Sequence, residues 1–402
     1  MNGIAEIEEL RSELAGEMNL NRVIGKYSQD RPGPTLICIG GMHGNEPAGV
    51  TALQRVLDYL HASGAELAGQ FVALRGNLRA LAQKKRYIET DFNRMWTPER
   101  MARLRSDEIA GAKNAESLEQ FELFRKIDSI LAETRGPAYL IDLHTTSAPS
   151  QPFAIFGDTI RNRRFAKKLG VPLILGLEEA IAGTLMEDIT NQGHVALAFE
   201  SGQHDDPRSI ELHESAIWLA LEGAGCMSRR DVPNIEVHRK HLSGAAQNLP
   251  EVLEVCYRHA IKPTDHFNMM PGFVNFQQVY EGQLLARDRH DWIWAPKNLN
   301  IFMPLYQGLG DDGFFLARPV HTFWLKVSAA LRYLRVDRIL HSLPGVRRHP
   351  KDAFTYIVDT RIARWLVVEI FHLLGFRKER TENGSLILSK RRYDLSPPKK
   401  HR

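Results

Sequence analysis

Leu36-Ile37-Cys38-Ile39-Gly40-Gly41-Met42-His43-Gly44-Asn45-Glu46-Pro47 is the stretch whose reading decides the fold. The apolar run Leu36 to Ile39 reads as a short buried strand. Two glycines break it, and a His and a Glu follow three residues apart. Pro47 suits the first turn of a helix running to about Tyr59. A strand that delivers His43 and Glu46 where a helix begins supplies half of a metal site. Its tip lies at the carboxyl end of a parallel sheet, where open α/β folds place their ligands.

Outward from this tip, strand and helix alternate. Phe71–Leu74, Ala138–Leu143, Phe153–Phe156, Leu173–Leu177 and Val195–Phe199 read as strands. Ser117–Glu133 and Ser209–Leu221 have helical spacing of apolar residues. This predicts the α/β class, with a mostly parallel or mixed sheet covered by helices on both faces. Ala5–Met18 reads as a leader helix, and residues 1–225 as the catalytic domain. After about Gly225, short strands between Gly- and Pro-rich turns predict a small β domain over 226–320. Residues 321–402 read as a basic, mostly helical module: helices over Thr322–Leu340 and Asp352–Leu374, a hairpin turning at Asn383-Gly384, and a disordered tail from Ser396.

The 402 residues are 43% hydrophobic and 25% charged, as expected of a globular protein rather than a fibrous or unfolded one. No run of about 18 apolar residues appears, so no membrane span is expected. The acidic start (Glu6, Glu8, Glu9) is unlike a secretory signal. Cys38, Cys226 and Cys256 form no CxxC pair, and a reduced, cytoplasmic setting fits them. Residues 331–402 carry a net charge of +10, against +4 for the whole chain, which leaves −6 on the first 330. Such a basic segment raises the question of nucleic acid or an anionic membrane. The reading preferred here is a solvated face on an add-on that packs against the body or a second copy. Nucleic acid is not expected as a partner, and a homodimer is one way to cover the apolar stretch Trp365–Leu374.

Catalytic zinc sites use three protein ligands drawn from His, carboxylate and Cys, with a water in the open position. His43 and Glu46 offer two. Ile141-Asp142-Leu143-His144 offers a third at another strand end, with Asp142 placed to orient His144. Ala198-Phe199-Glu200-Ser201-Gly202 brings a carboxylate suited to general acid/base work. Arg86 to Arg94 adds two guanidinium groups and Asn93. One guanidinium suits an oxyanion, and the other, with an amide beside it, suits a substrate carboxylate. His194, His204 and His213 read as rim or surface residues, and Cys38 as inert core.

Gly41-Met42-His43-Gly44-Asn45-Glu46, Asp91-Phe92-Asn93-Arg94, Asp142-Leu143-His144 and Glu200-Ser201-Gly202, in this order, resemble the succinylglutamate desuccinylase/aspartoacylase family, relatives of the zinc carboxypeptidases. The resemblance covers roughly residues 35–320. It implies one zinc ion on His43, Glu46 and His144, with Glu200 as general base and then acid. Arg86 would polarise the scissile carbonyl, and Asn93 and Arg94 would hold the α-carboxylate. The β domain would close over the mouth. The implied activity is zinc-dependent hydrolysis of an amide in an N-acyl amino acid or related small carboxylate. A carboxypeptidase-like peptidase and a non-catalytic binding protein using the basic module are the alternatives. One departure stands out. Family members carry an arginine about ten residues before the catalytic Glu for a second substrate carboxylate. Here that place is Thr190, and no arginine lies between Gly183 and Glu200. A substrate with an acidic side chain, such as N-acetylaspartate, is therefore not expected.

Overall fold

A computed structural model describes residues 20–106, 114–350, 352–359, 361–362, 367–382 and 385–397. The expected leader helix, the Asn383-Gly384 turn and the last residues of the tail lie outside the described residues.

The deciding stretch forms strand β2 (Thr35–Gly40), buried along its whole length. A strand buried on both faces needs a continuous apolar run rather than alternation, and Leu36–Ile39 provides one. β3 (Gln70–Arg75) and β4 (Ala138–Thr146) flank it in parallel. β1 (Val23–Ser28), not expected from the sequence, closes this edge antiparallel to β3. On the other side β7 (Val195–Gln203) runs parallel to β4. The sheet then reverses: β5 (Phe153–Ile155) is antiparallel to β7. β6 (Leu173–Leu175) and β8 (Val252–Ala260) follow in parallel. β14 (Asp312–Pro319), β13 (Leu299–Phe302) and β10 (Gln278–Val279) extend it in antiparallel steps. The result is a mixed eleven-stranded sheet with the order β1-β3-β2-β4-β7-β5-β6-β8-β14-β13-β10. Helices Ala48–Ser63, Ala115–Glu133 and Arg208–Ala224 bury their apolar sides in its core. β9 (Asn268–Met269), β11 (Leu284–Arg287) and β12 (Trp292–Trp294) make a second small sheet with its own apolar cluster around Leu285 and Phe314. No helix among the described residues is long and apolar enough to cross a membrane.

The C-terminal segment differs from expectation. The helix expected over Asp352–Leu374 is instead strand β16 (Asp352–Asp359) and a short helix, Val367–Leu373. Phe354-Thr355-Tyr356-Ile357-Val358 is a run of aromatic and β-branched residues that fits a pleated surface better than a helix. β16 lies between β15 (Val346–His349) and β18 (Ser385–Lys390), and β17 (Phe376–Glu382) completes a four-stranded antiparallel sheet. Tyr356, Phe371 and Phe376 pack edge-on within it. The segment is therefore more sheet than helix. Helix Thr322–Tyr333 also stops short of Leu340, because Arg335 turns left-handed (φ 54°) before a 3-10 turn over Val336–Ser342.

Arg332 fastens this segment to the body. It is 1% exposed and donates to Asp158 Oδ2 at 2.7 Å, Asp158 O at 2.7 Å and Leu373 O at 3.0 Å. Removing one partner of a buried pair leaves the other charge uncompensated, which costs about 3–5 kcal/mol. Arg332→Met is expected to lower stability by that amount, read from the urea denaturation midpoint. A pH dependence follows from His372, whose Nε2 lies 3.2 Å from Glu179 and Nδ1 3.7 Å from Glu254. Burial alone would lower its pKa, but the two carboxylates outweigh that and push it up to about 9. A raised folded pKa gives stability that is complete below the unfolded value of about 6.5 and is lost as pH climbs through the folded one. The denaturation midpoint is expected to fall as pH rises from about 7 to beyond 9, and His372→Gln is expected to flatten that fall.

Candidate active site

The turn after β2 is shaped by backbone approach. Gly41 adopts φ +74°. A Cβ on Gly44 would sit 2.0 Å from the carbonyl carbon of Ala80, so only glycine lets the loop pass. Gly44 N donates to Arg86 O at 3.2 Å, which ties this loop to the one bearing the arginines. Pro47 then precedes the helix Ala48–Ser63, and Glu46 is fixed at its entrance. From the neighbouring strand, His144 arrives near the end of β4, in register with Glu200 of β7.

These elements bring His43, Glu46 and His144 together, all buried, with one donor atom from each within 4.8 Å of the others. His43 Nδ1 is 2.9 Å from Glu46 Oε1, and His144 Nδ1 is 3.1 Å from Glu46 Oε2. Each imidazole is held from behind by a carboxylate. His43 Nε2 lies 3.2 Å from Asp91 Oδ1, and His144 Nε2 lies 2.7 Å from Asp142 Oδ2. This carboxylate–histidine arrangement fixes ring orientation and leaves both Nδ1 atoms facing the same carboxylate, so the donor set fits a divalent metal ion. Burial would raise the pKa of Glu46 and Asp91, yet both lie well below the usual carboxylate range. For Glu46 the two histidines outweigh burial, and for Asp91 Arg86 and His43 do. Burial would lower the pKa of His144, but Asp142 and Glu46 raise it well above the ordinary value.

The loop with the arginines is pinned by a residue the sequence reading missed. Glu116, fully buried in the first turn of helix Ala115–Glu133, accepts the backbone N–H of Ile88 at 2.6 Å, Glu89 at 3.1 Å and Thr90 at 3.3 Å. Arg86 donates to Asp91 Oδ2 at 2.9 Å and lies 3.6 Å from Glu46 Oε1. Arg94 also lines the cleft, but its Nη2 donates to Asp312 Oδ2 of β14 at 2.9 Å. Asn93 is engaged within the protein. Its amide nitrogen is 3.3 Å from Asp142 Oδ2, and its oxygen accepts Leu185 N at 3.1 Å.

Glu200 is 5% exposed, and its Oε2 is buried with no hydrogen-bond partner among the described residues. Burial, opposed by His144 and Arg86 and assisted by Glu46, pushes its carboxyl up to about 8. His213, read from the sequence as a rim residue, is instead fully buried, because helix Arg208–Ala224 packs directly on β7. Burial pushes its pKa down to about 3, and Nε2 lies 3.1 Å from His144 O, so a neutral imidazole supports the end of β4. His204 is half-buried at the mouth, 2.7 Å from Thr145 Oγ1 and 3.3 Å from Gln307 Oε1. Ile155, Leu177, Ile181, Met186, Ala198 and Met303 give the cleft an apolar wall. Glu178 stands among them and was not foreseen, because a Glu-Glu pair in a short helix reads as solvent-facing. Thr190 is buried, and its Oγ1 accepts from Asn162 Nδ2 at 3.2 Å.

A buried His-Glu-His group at strand ends, faced by an unpaired carboxyl and two guanidinium groups, is the equipment of a hydrolase. Comparison with known proteins makes the class specific. Residues 32–216 match the sequence model of the succinylglutamate desuccinylase/aspartoacylase catalytic domain. A succinylglutamate desuccinylase of Ectopseudomonas mendocina is 26% identical over 68% of this chain and 79% of its own length. One from Pseudomonas aeruginosa is 25% identical over 65% and 76%. Two solved structures share the fold. A succinylglutamate desuccinylase/aspartoacylase from Rhodobacter sphaeroides has TM-score 0.52 at 18% identity, over 73% of this chain and 87% of that one. A succinylglutamate desuccinylase from Vibrio cholerae has TM-score 0.51 at 17% identity, over 72% and 82%. Residues 32–216, somewhat under half of the chain, therefore form a catalytic domain of the succinylglutamate desuccinylase/aspartoacylase family, a family of hydrolases.

The carboxylates behind the histidines give a test of the metal site. Loss of such an outer carboxylate typically weakens metal affinity by about 10–100-fold. Asp142→Asn is expected to weaken Zn²⁺ binding by that factor, while His144→Ala removes measurable binding. Chelator competition on the purified chain reads both.

Proposed function

We propose that this chain is a zinc-dependent hydrolase of the amide bond in an N-acyl amino acid or a related small carboxylate. The observation that carries this reading is the buried, unpartnered carboxyl of Glu200, lining the same cleft as His43, Glu46 and His144. Relatives that bear the name succinylglutamate desuccinylase support cleavage of an amide.

His43, Glu46 and His144 would hold the zinc ion. When bound, zinc acts as a Lewis acid toward a carbonyl and lowers the pKa of water. Glu200 takes the proton of the attacking water and returns it to the departing nitrogen. Its raised pKa suits both halves of that task, because efficient acid/base groups titrate near the working pH. Arg86 meets the negative charge that develops on the carbonyl oxygen, held in place by Asp91 and by the loop that Glu116 pins. Arg94 pairs with the substrate carboxylate. Asp312 orients its guanidinium, and Asn93 braces both Arg94's loop and the Asp142–His144 pair. Residues 1–225 are read as the catalytic unit and 226–320 as its cap, consistent with Met303 in the cleft wall and with Gln307 accepting from Asn45 at 2.9 Å across the mouth.

Amine release from a panel of N-acyl amino acids and dipeptides tests this reading. Zinc-loaded protein is expected to hydrolyse members of the first group and spare the second. Glu200→Gln is expected to lose about 10²–10⁴-fold in kcat with zinc still bound. Full turnover by that variant would refute the mechanism. Chelation is expected to abolish activity, and added zinc to restore it.

A further inference from the structure

The cleft has a second buried carboxyl that the proposed chemistry does not use. Glu178 lines it from the short helix Leu177–Ala180, and its side chain is 3% exposed. One oxygen is fully committed: Oε1 accepts Asp158 N at 3.1 Å and an Arg391 guanidinium N–H. The other, Oε2, is buried without a hydrogen-bond partner among the described residues. Buried carboxyl oxygens are normally satisfied, so an exception calls for a ligand group or a special role.

Its neighbours say which kind of group fits. A Cβ built on Gly157 would lie 3.2 Å from Glu178 Oε2 and 3.4 Å from the methyl of Thr190. The free oxygen therefore borders Thr190, which stands where the family resemblance implies an arginine. Thr190, whose hydroxyl accepts from Asn162, brings no positive charge to that position. The lysine and arginine side chains among the described lining residues are Arg86 and Arg94, which the proposed chemistry already assigns to the carbonyl oxygen and to the first carboxylate. Arg391 grips the opposite oxygen of Glu178 and also Glu179 at 3.1 Å, so it is not free to serve a ligand. A carboxylate brought to this wall would meet a like-charged group whose guanidinium partner, Arg391, is already shared with Glu179, whereas an N–H or O–H donor would satisfy the orphan.

We propose that Glu178 is a specificity residue: it selects substrates that carry, besides the bound carboxylate, an amine or hydroxyl donor, and it rejects those that carry a second carboxylate. This rests on the functional reading above and narrows its substrate class. Discrimination of this kind combines an attractive contact with a built-in repulsion. Arg391 is a positioning residue here. It arrives from just beyond β18 and holds the Glu178 carboxyl through Oε1, which leaves Oε2 without a partner among the described residues.

Equilibrium binding tests the inference apart from turnover. The 402-residue chain carrying Glu200→Gln, zinc-loaded, is titrated calorimetrically with two matched series of N-acyl amino acids. One series varies the end of the amino-acid side chain and the other the end of the acyl chain, through ammonium, hydroxyl, methyl and carboxylate. In at least one series, the ammonium or hydroxyl member is expected to bind at least about 10-fold more tightly than the carboxylate member, the size of one charged hydrogen bond. Adding Glu178→Gln is expected to erase that ratio while the methyl member's Kd stays within about 2-fold. Where Glu178→Gln lowers Tm, Glu178→Asp keeps a charge for Arg391 but shortens the reach, and it is expected to lose the same preference. Equal or tighter binding of the carboxylate members, a ratio indifferent to Glu178, or no binding by any member overturns the inference. If the ligands bind as predicted but protein with native Glu200 hydrolyses none of them, the functional reading fails and this one stands.

Discussion

The cleft depends on one arrangement, the carboxylate of Glu46 between two buried imidazoles, each backed by a second carboxylate. Taking five titratable groups out of water is costly, and ion pairs at this depth seldom repay their desolvation as stability. Such a cluster points to function. It persists because its supports are rigid. Glu46 sits at a helix entrance and also accepts Thr145 N at 2.9 Å, while His144 and Asp142 are two residues apart on a fully hydrogen-bonded central strand. Strand β7 on the other side of β4 places Glu200 in register with His144, so sheet geometry fixes which face of the cluster the free carboxyl addresses.

What the sequence made legible follows from how local each signal is. The central strands are uninterrupted apolar runs ended by glycine or a polar tip, so β2, β3, β4 and β7 and the long helices Ala48–Ser63, Ala115–Glu133 and Arg208–Ala224 could be read directly. The three tips that bear His43, His144 and Glu200 were legible for the same reason. Register and second contacts were not. Nothing near Asp91 says that it backs His43 from 48 residues away, and nothing near Glu116 says that it gathers three amides of the arginine loop. Such partners are chosen by packing across the fold. His213 illustrates the opposite error: a polar residue in an amphipathic helix was assigned to water, when the helix buries that face against β7.

The C-terminal segment shows where periodicity misleads. Between Asp352 and Leu374 the apolar residues are dense enough to satisfy a helical template and a strand template alike. The β-branched and aromatic run decided for a strand, and the sheet that results encloses its own core of Tyr356, Val358, Phe371, Phe376 and Leu388. Basic charge, which raised the question of an anionic partner, is partly spent internally. Arg332 and Arg391 are buried and paired with Asp158, Asp394, Glu178 and Glu179, all carboxylates outside or at the end of the segment. Part of what looked like a basic face therefore attaches this segment to carboxylates of the body.

That attachment reaches into the chemistry. A carboxyl buried in an apolar wall without a cation nearby takes up a proton, since burial disfavours the charged form. Burial pushes the Glu178 pKa up to about 7, and the pull of Arg391 is what keeps it from rising further. Arg391 lies beyond the residues that the family's catalytic domain covers, 32–216. A residue outside the shared domain therefore sets the charge of a group inside the shared cleft. The cleft therefore carries both polarities: Arg86 and Arg94 are guanidinium groups backed by carboxylates, and Glu178 is a carboxyl backed by a guanidinium. The guanidinium that backs Glu178 is supplied by the C-terminal segment, not by the sheet that carries the histidines.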